Sequence, residues 1–215
     1  THRQTLLARA LADVGECELA LPILSGVLAT QDDYRDAWIV QGYCQLTTER
    51  LDEAKTSFER AYQIDPQKPE IQFFLARTFS KLGDHQAATT YAQYALENGF
   101  SPHAEALRLL AAEALAIGDG ELALQQLEKL TQLENAPVDA YSDFIAAALS
   151  MKKNEEAYAK AQAAVAAHPK SAIAHDLLGW TAAVTGRNDE ARNELTKALE
   201  LDPGLESAQK RLKSL

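Results

Sequence analysis

The sequence repeats itself every 34 residues, and this period constrains the fold more than any other feature. With repeats starting near residues 1, 35, 69, 104, 138 and 172, every step is 34 residues except one of 35. Small residues recur at position 8 of the repeat, and larger ones recur at positions 7 and 24. This pattern predicts two helices per repeat that approach each other closely at the small residues. Position 20 is always alanine: Ala20, Ala54, Ala88, Ala123, Ala157 and Ala191.

The spacing within each repeat predicts helices and no sheet. Apolar residues recur three and four positions apart, as in Ala54, Phe58 and Ala61, which is typical of amphipathic helices of about 12–14 residues. Glycine at position 15 of four repeats predicts a left-handed residue that ends the first helix. Proline at position 32 of three repeats predicts the end of the second. No run of alternating β-branched residues indicates a strand, so we expect an all-α chain.

The repeat closely resembles the tetratricopeptide repeat. The best single match runs from residue 35 to 66 and carries Trp38, Gly42, Ala54, Phe58, Ala61 and Pro66. The resemblance covers essentially the whole chain. It implies a right-handed superhelical solenoid of antiparallel helix pairs, with residues 1–215 forming a single array. Residues from about 205 to 215 are expected to form a capping helix, because the end of a repeat array needs a polar cover.

Composition and motifs exclude several classes of function. The net charge of −10 argues against nucleic-acid binding, which requires a basic face. No segment approaches the ~20 apolar residues of a membrane-spanning helix. The chain has no phosphate-binding loop and no hydrolase motif, and its five histidines show no metal-ligand spacing. We therefore expect no enzyme activity, cofactor, metal, nucleic-acid partner or membrane insertion in this segment. The cellular compartment stays open.

The resemblance also assigns candidate binding residues. In the family, positions 2, 5, 9, 12 and 13 of each first helix face the concave groove. Aromatic residues and arginines are enriched at binding hot spots, and arginines stand out in an acidic chain. Acidic residues at position 2, such as Asp36 and Glu70, are expected to hold the arginines in place; packing of the aromatic residues against their neighbours is the alternative interpretation. The candidates are Arg9, Ile39, Tyr43, Phe73, Arg77, Arg108 and Trp180.

These residues imply a non-enzymatic scaffold for protein–protein interaction. It would bind a peptide or helical segment of a partner protein that carries apolar and acidic side chains. Lysine at position 5 and asparagine at position 9, which chaperone-binding members use, are absent here. Two alternatives stay open. One is self-association into a homo-oligomer. The other is a targeting or regulatory part of a larger protein whose catalytic domain lies outside these residues, since the chain starts at Thr1.

Some positions depart from the pattern. Gln41 and Gln45 lie four residues apart on one helix and are expected to be partly exposed or to bond each other, with a polar notch for a ligand as the alternative. Ile145 replaces a small residue and Lys152 a turn glycine, which predicts a splayed helix pair or an altered turn. The inserted residue lies within 98–102 and predicts a longer loop there.

Cys17 and Cys44 fall at the same end of neighbouring helices in an antiparallel stack. A disulfide would require their Cα atoms to lie within about 7 Å, and two reduced, packed thiols are the favoured interpretation. His175 occupies position 4 of the last repeat and is interpreted as a packed histidine rather than a catalytic one.

Overall fold

A computed structural model describes every residue from Thr1 to Leu215 as thirteen α-helices and their connections, with no strand. The all-α prediction is confirmed, and the helices fit six pairs followed by a final helix. No helix is both long and apolar enough to cross a membrane. The helices are α1 His2–Asp13, α2 Cys17–Thr30, α3 Arg35–Thr47, α4 Leu51–Ile64, α5 Pro69–Leu82, α6 His85–Glu97, α7 His103–Ala116, α8 Gly120–Thr131, α9 Val138–Ser150, α10 Asn154–Ala167, α11 Ala172–Val184, α12 Asn188–Leu201 and α13 Glu206–Lys213.

The helices follow the repeat in detail. The second helix of every pair begins at position 17, and the six alanines at position 20 are all completely buried. Position 8 is also buried in every repeat, so the small residues lie where the two helices of a pair meet. The expected final helix is present as α13, with Leu205 at its N-cap.

The chain divides into two compact units, Thr1–Gly118 with α1 to α7 and Asp119–Leu215 with α8 to α13. Within the first unit each helix packs on the next one along the chain, and α1, α3 and α5 also contact in succession. Within the second unit α9 packs on α10, α11 on α12, and α13 on both α11 and α12. That all six repeats form one continuous array stays a prediction.

The turn inside each pair uses a left-handed residue at position 15, whether or not that residue is glycine. Lys152 has a φ of 60°, and its N–H donates to the carbonyl of Leu149 at 3.0 Å. The N–H of Lys153 donates to the carbonyl of Ala148 at 2.9 Å, which completes the hydrogen bonds that close such a helix end. The altered turn expected at Lys152 is therefore wrong. These hydrogen bonds offset the ~1–2 kcal/mol that a left-handed residue with a Cβ costs.

Replacing Lys152 by glycine should therefore stabilise the chain by about 0.5–1 kcal/mol. Glycine relieves the left-handed strain, and part of that gain is lost to the larger entropy of the unfolded chain. Lys197 on α12 is an exposed control, at which the same substitution should cost about 1 kcal/mol of helix propensity. Thermal unfolding followed by circular dichroism measures both changes. A lower midpoint for Lys152→Gly would contradict the strain at this turn.

Ile145 is accommodated by an exchange of sizes between positions 8 and 24. In the second repeat, Gly42 at position 8 faces the ring of Phe58 at position 24 so closely that a Cβ would lie 2.7 Å from it. In the fifth repeat the large residue is Ile145 at position 8, and Ala161 occupies position 24. Both residues are completely buried. This packing is expected when the large side chain lies at position 8 and the small one at position 24, the reverse of the second repeat.

The inserted residue lengthens the connection between α6 and α7, as predicted. Residues 98–102 link these helices, whereas residues 65–68 suffice between α4 and α5. Phe100 in the longer loop is 6% exposed and stacks on Phe73, with 4.0 Å between the ring centroids. The extra residue thus adds an aromatic side chain to the core of the first unit. The connection at 132–137 is longer still, which no sequence signal indicated.

Cys17 and Cys44 form a disulfide between α2 and α3, with their Cα atoms 5.0 Å apart. The expectation of two reduced thiols is therefore wrong. The antiparallel arrangement brings the start of α2 beside the end of α3, and both side chains are buried there. The bond joins the first repeat to the second, in addition to the packing between them.

Burial and hydrogen bonds decide two further expectations, one for the two glutamines and one for His175. Gln45 is 5% exposed and accepts a hydrogen bond from Ser57 Oγ at 2.6 Å, so its partner lies on α4 and not at Gln41. Gln41 is partly exposed, and its buried Oε1 has no hydrogen bond. His175 is completely buried between Glu194, 2.5 Å from Nδ1, and the carbonyl of Pro169, 3.1 Å from Nε2, so the packed-histidine interpretation is confirmed.

Candidate functional site

A cavity of about 310 Å³ lies between the first helices of the first three repeats, α1, α3 and α5. Six of its nine lining residues occupy positions 2, 5, 9, 12 or 13, the positions expected to face a groove. The lining combines apolar and charged side chains: Arg9, Ala12, Asp13, Ile39, Val40, Tyr43, Lys68, Glu70 and Phe74.

The apolar side of the cavity is rigidly supported by the core beneath it. Tyr43 and Phe74 meet edge to face, with ring centroids 5.8 Å apart. Phe74 in turn stacks on the completely buried Phe58 at 5.3 Å. Such aromatic pairs add about 0.5–1.5 kcal/mol beyond the area they bury. The cavity therefore offers a preformed aromatic wall that is partly exposed at Tyr43 and Phe74.

The charged side of the cavity is only partly neutralised. Lys68 Nζ lies 3.1 Å from Glu70 Oε2, as an ion pair rather than an aligned hydrogen bond. Arg9 and Asp13 lie four residues apart on α1, are exposed, and form no ion pair with each other or with any other residue. The cavity thus keeps one free guanidinium and one free carboxylate at its rim.

Asp36 and Glu70, two of the acidic residues at position 2, do not hold the groove arginines. Asp36 pairs with Arg35 at 2.9 Å, and Arg35 also reaches Asp65 at 2.7 Å. Desolvation opposes the charge of the Arg35 guanidinium, but hydrogen bonds and charge attraction from the two carboxylates leave its pKa raised. Glu70 pairs with Lys68 instead. The expectation is therefore wrong at Asp36 and Glu70, because each carboxylate is taken by a cation close to it in sequence.

Three of the candidates in the first unit line the cavity, and two do not. Arg9, Ile39 and Tyr43 line the cavity, although Ile39 is buried to 7% exposure. Phe73 is only 4% exposed, because it stacks on Phe100, and the expectation that it presents a large surface to a partner is wrong. Arg77 is half-buried, with its guanidinium 5.9 Å from the ring of Phe73 and no ion pair.

The last two candidates lie away from this cavity's lining. Arg108 is exposed on α7. Trp180 belongs to the second unit, where the guanidinium of Arg211 on α13 lies 4.5 Å from its ring. Arg211 also forms an ion pair with the buried carboxylate of Asp176, and this pair keeps α13 beside the indole ring of Trp180. The side chain of Trp180 is therefore partly covered by its own chain.

Sequence reasoning missed several lining residues. Asp13 occupies position 13, one of the five groove positions, and could have been identified by the same rule. Phe74 and Val40 occupy position 6, and Lys68 precedes the third repeat, so the rule does not include them. They reach the cavity because α1, α3 and α5 lie side by side.

A second, shallow depression of about 520 Å³ surrounds the turn between α9 and α10. Its charges are largely paired: Lys153 contacts Glu121 at 2.7 Å, and Glu155 contacts Arg187 at 2.9 Å. It has no aromatic residue in its lining. The cavity of the first unit is therefore the better candidate for a binding site, since anchored recognition needs buried apolar contact.

Comparisons with known proteins agree with the repeat pattern. A tetratricopeptide repeat model matches residues 5–69 and 143–206, and a second tetratricopeptide repeat model matches residues 45–108. No significant match was found among curated protein sequences.

Several solved structures share the fold. The C-terminal part of a TPR repeat-containing protein from Cytophaga hutchinsonii superposes with a TM-score of 0.80 at 15% identity, covering 98% of this chain and 84% of that one. YrrB, described as a TPR protein with an unusual peptide-binding site, gives 0.69 at 18% identity, with 89% and 98% covered. The pilF protein of Pseudomonas aeruginosa gives 0.69 at 15%, with 100% and 97% covered. These likenesses confirm a solenoid fold built from helix pairs.

Proposed function

The chain belongs to the tetratricopeptide repeat family, and we propose that it is a non-enzymatic module that binds a peptide segment of a partner protein in the cavity between α1, α3 and α5. Repeats of this family generally mediate protein–protein interaction. One observation carries the proposal. The cavity places the unpaired guanidinium of Arg9 beside the aromatic wall of Tyr43 and Phe74.

The chemistry of the lining selects the class of peptide. A volume of about 310 Å³ is at the small end of the ~300–1,000 Å³ of ligand pockets, which suits an anchoring side chain or two rather than a whole domain. Tyr43 and Phe74 offer apolar contact to an aromatic or leucine anchor. Arg9, and Arg77 one turn after Phe74 on α5, can each bind a carboxylate of the same peptide.

The solved structure of YrrB supports this assignment through its fold. YrrB is described as having a peptide-binding site, and its chain superposes over 89% of this one. The residues proposed here come from the cavity itself and not from that protein, since a shared fold does not transfer a site.

Selection from a displayed library of random peptides tests the proposed ligand class. Wild-type protein should enrich peptides that place an aspartate or glutamate next to an aromatic residue or leucine, because such peptides satisfy Arg9 and Tyr43 together. Arg9→Glu should lose this enrichment, since the new carboxylate repels an acidic peptide. Arg60→Glu on the exposed face of α4 is the matched control and should keep it.

The selection can also contradict the proposal. Absence of any enriched motif, or an enriched motif that survives Arg9→Glu unchanged, would show that the cavity is not the binding site.

A further inference from the structure

The outer side of α1 exposes a continuous apolar stripe. Leu6 is 52% exposed, Leu7 54% and Val14 73%, and Ala10 lies exposed between them. Their spacings of three and four residues place them along one side of the helix. Leu19, at the start of α2, is 58% exposed and adds to the apolar surface at this end of the first unit.

Position 7 of the repeat is exposed at Leu7 but buried in later repeats. Leu7 occupies position 7, and its counterparts Leu75, Leu110 and Leu178 are at most 6% exposed. In each case the preceding helix pair covers the residue, since α4 packs on α5, α6 on α7 and α10 on α11. The outer side of α1 is therefore a surface of the kind that these repeats bury against another helix.

The last helix of the second unit has an exposed side of the opposite character. Leu212 of α13 packs against α12 together with Leu205 and Leu215, which flank the helix, whereas Lys210 and Lys213 are exposed. The exposed side of α1 therefore carries leucines, whereas the exposed side of α13 carries lysines. An apolar side of this kind marks an interaction surface.

We propose that the outer side of α1 binds the same surface of a second copy of this chain. The two α1 helices would run antiparallel about a twofold axis that crosses them on their outer sides, at the height of residue 8 along the helix. This inference goes beyond peptide binding and does not depend on it. Leu6 of each copy would then meet Ala10 of the other, and the small alanine side chain allows the helices to approach closely.

Charge complementarity favours a second copy over an unrelated partner. Arg3 and Asp13 lie at opposite ends of the stripe, about 15 Å apart along the helix axis. Both are exposed, and neither forms an ion pair within its own chain. Antiparallel pairing about the height of residue 8 forms two symmetric ion pairs, each between Arg3 of one copy and Asp13 of the other. A surface that is self-complementary in this way is what an isologous dimer requires.

Sedimentation equilibrium of the full 215-residue chain over a range of concentrations tests the dimer. The wild type should shift from monomer to dimer as its concentration rises. Leu7→Glu should weaken dimerisation by about tenfold or more, because it removes a buried leucine and introduces a charge. Leu201→Glu is the matched control, since Leu201 is 44% exposed on α12, and it should leave the equilibrium unchanged. A monomer at every concentration would overturn the proposal.

Charge reversal tests the proposed geometry separately from folding. Arg3→Glu and Asp13→Arg should each weaken the dimer by placing like charges opposite each other. The double variant should restore it, because both ion pairs re-form with reversed polarity. Circular dichroism confirms the helical content of each variant. A double variant that dimerises no better than the two single ones would overturn the antiparallel arrangement.

Discussion

Replacing Gly42 by alanine should lower the free energy of unfolding by about 1–3 kcal/mol, because the new methyl group overpacks the core. Its Cβ would lie 2.7 Å from the ring of Phe58, which is completely buried and stacked on Phe74. The ring cannot move without disturbing Phe74 and therefore the aromatic wall of the cavity. Chemical denaturation of the variant measures the loss.

Gly26 provides the matched control for this prediction. It lies within α2, and nothing lies within 4 Å of the position its Cβ would take. Gly26→Ala should therefore stabilise the chain by roughly 0.5–1 kcal/mol through helix propensity. Adding Phe58→Leu to Gly42→Ala should recover part of the loss by making room. Equal effects of alanine at residues 26 and 42 would contradict the close contact between Gly42 and Phe58.

Reduction of the disulfide should lower the free energy of unfolding by about 3.5 kcal/mol. A bond that closes a loop of this length removes conformational entropy from the unfolded chain by roughly that amount. Cys17 and Cys44 are 27 residues apart in sequence and join α2 to α3. Breaking the bond therefore loosens the first repeat from the second, while the core around both cysteines remains apolar.

Urea denaturation with and without a reducing agent measures this effect. The wild type should unfold at lower urea when reduced. A variant with both Cys17 and Cys44 replaced by alanine should unfold at the same lower urea concentration with or without the reducing agent. Identical midpoints for oxidised and reduced wild type would contradict a bonded pair.

Most of the fold follows from the sequence because the repeat encodes local geometry. The alanine at position 20 and the small residue at position 8 fix where two helices meet, and these positions are buried in all six repeats. Lys152 shows the limit of residue-type rules. The turn depends on backbone hydrogen bonds, which a lysine in the left-handed conformation also makes.

The site was harder to predict because its composition depends on contacts distant in sequence. Arg9, Ile39 and Tyr43 were assigned to the groove by their repeat positions and line the cavity. Phe73 shares such a position, but the inserted loop brings Phe100 onto its ring. Trp180 is partly covered by Arg211, a residue of the final helix. In both cases, a residue outside the six helix pairs supplies the contact that changes the role of a groove position.

Pairing of charges could not be predicted from position alone. The carboxylates of Asp36 and Glu70 are bound by Arg35 and Lys68, which lie one and two residues away in sequence. The position-2 rule assigned them to more distant arginines. Arg9 therefore keeps an unpaired charge at the rim of the cavity, which is the property that peptide binding would use.

Calorimetric titration with an enriched peptide tests most directly whether the cavity between α1, α3 and α5 binds the partner. Tyr43→Ala and Arg9→Ala should each weaken binding by about tenfold or more, as expected of residues at a binding hot spot, without unfolding the chain. Tyr94→Ala and Arg60→Ala, both at exposed positions on the second helices of their pairs, are the matched controls and should bind like wild type. Equal affinity of the wild type, Tyr43→Ala and Arg9→Ala would contradict binding in this cavity.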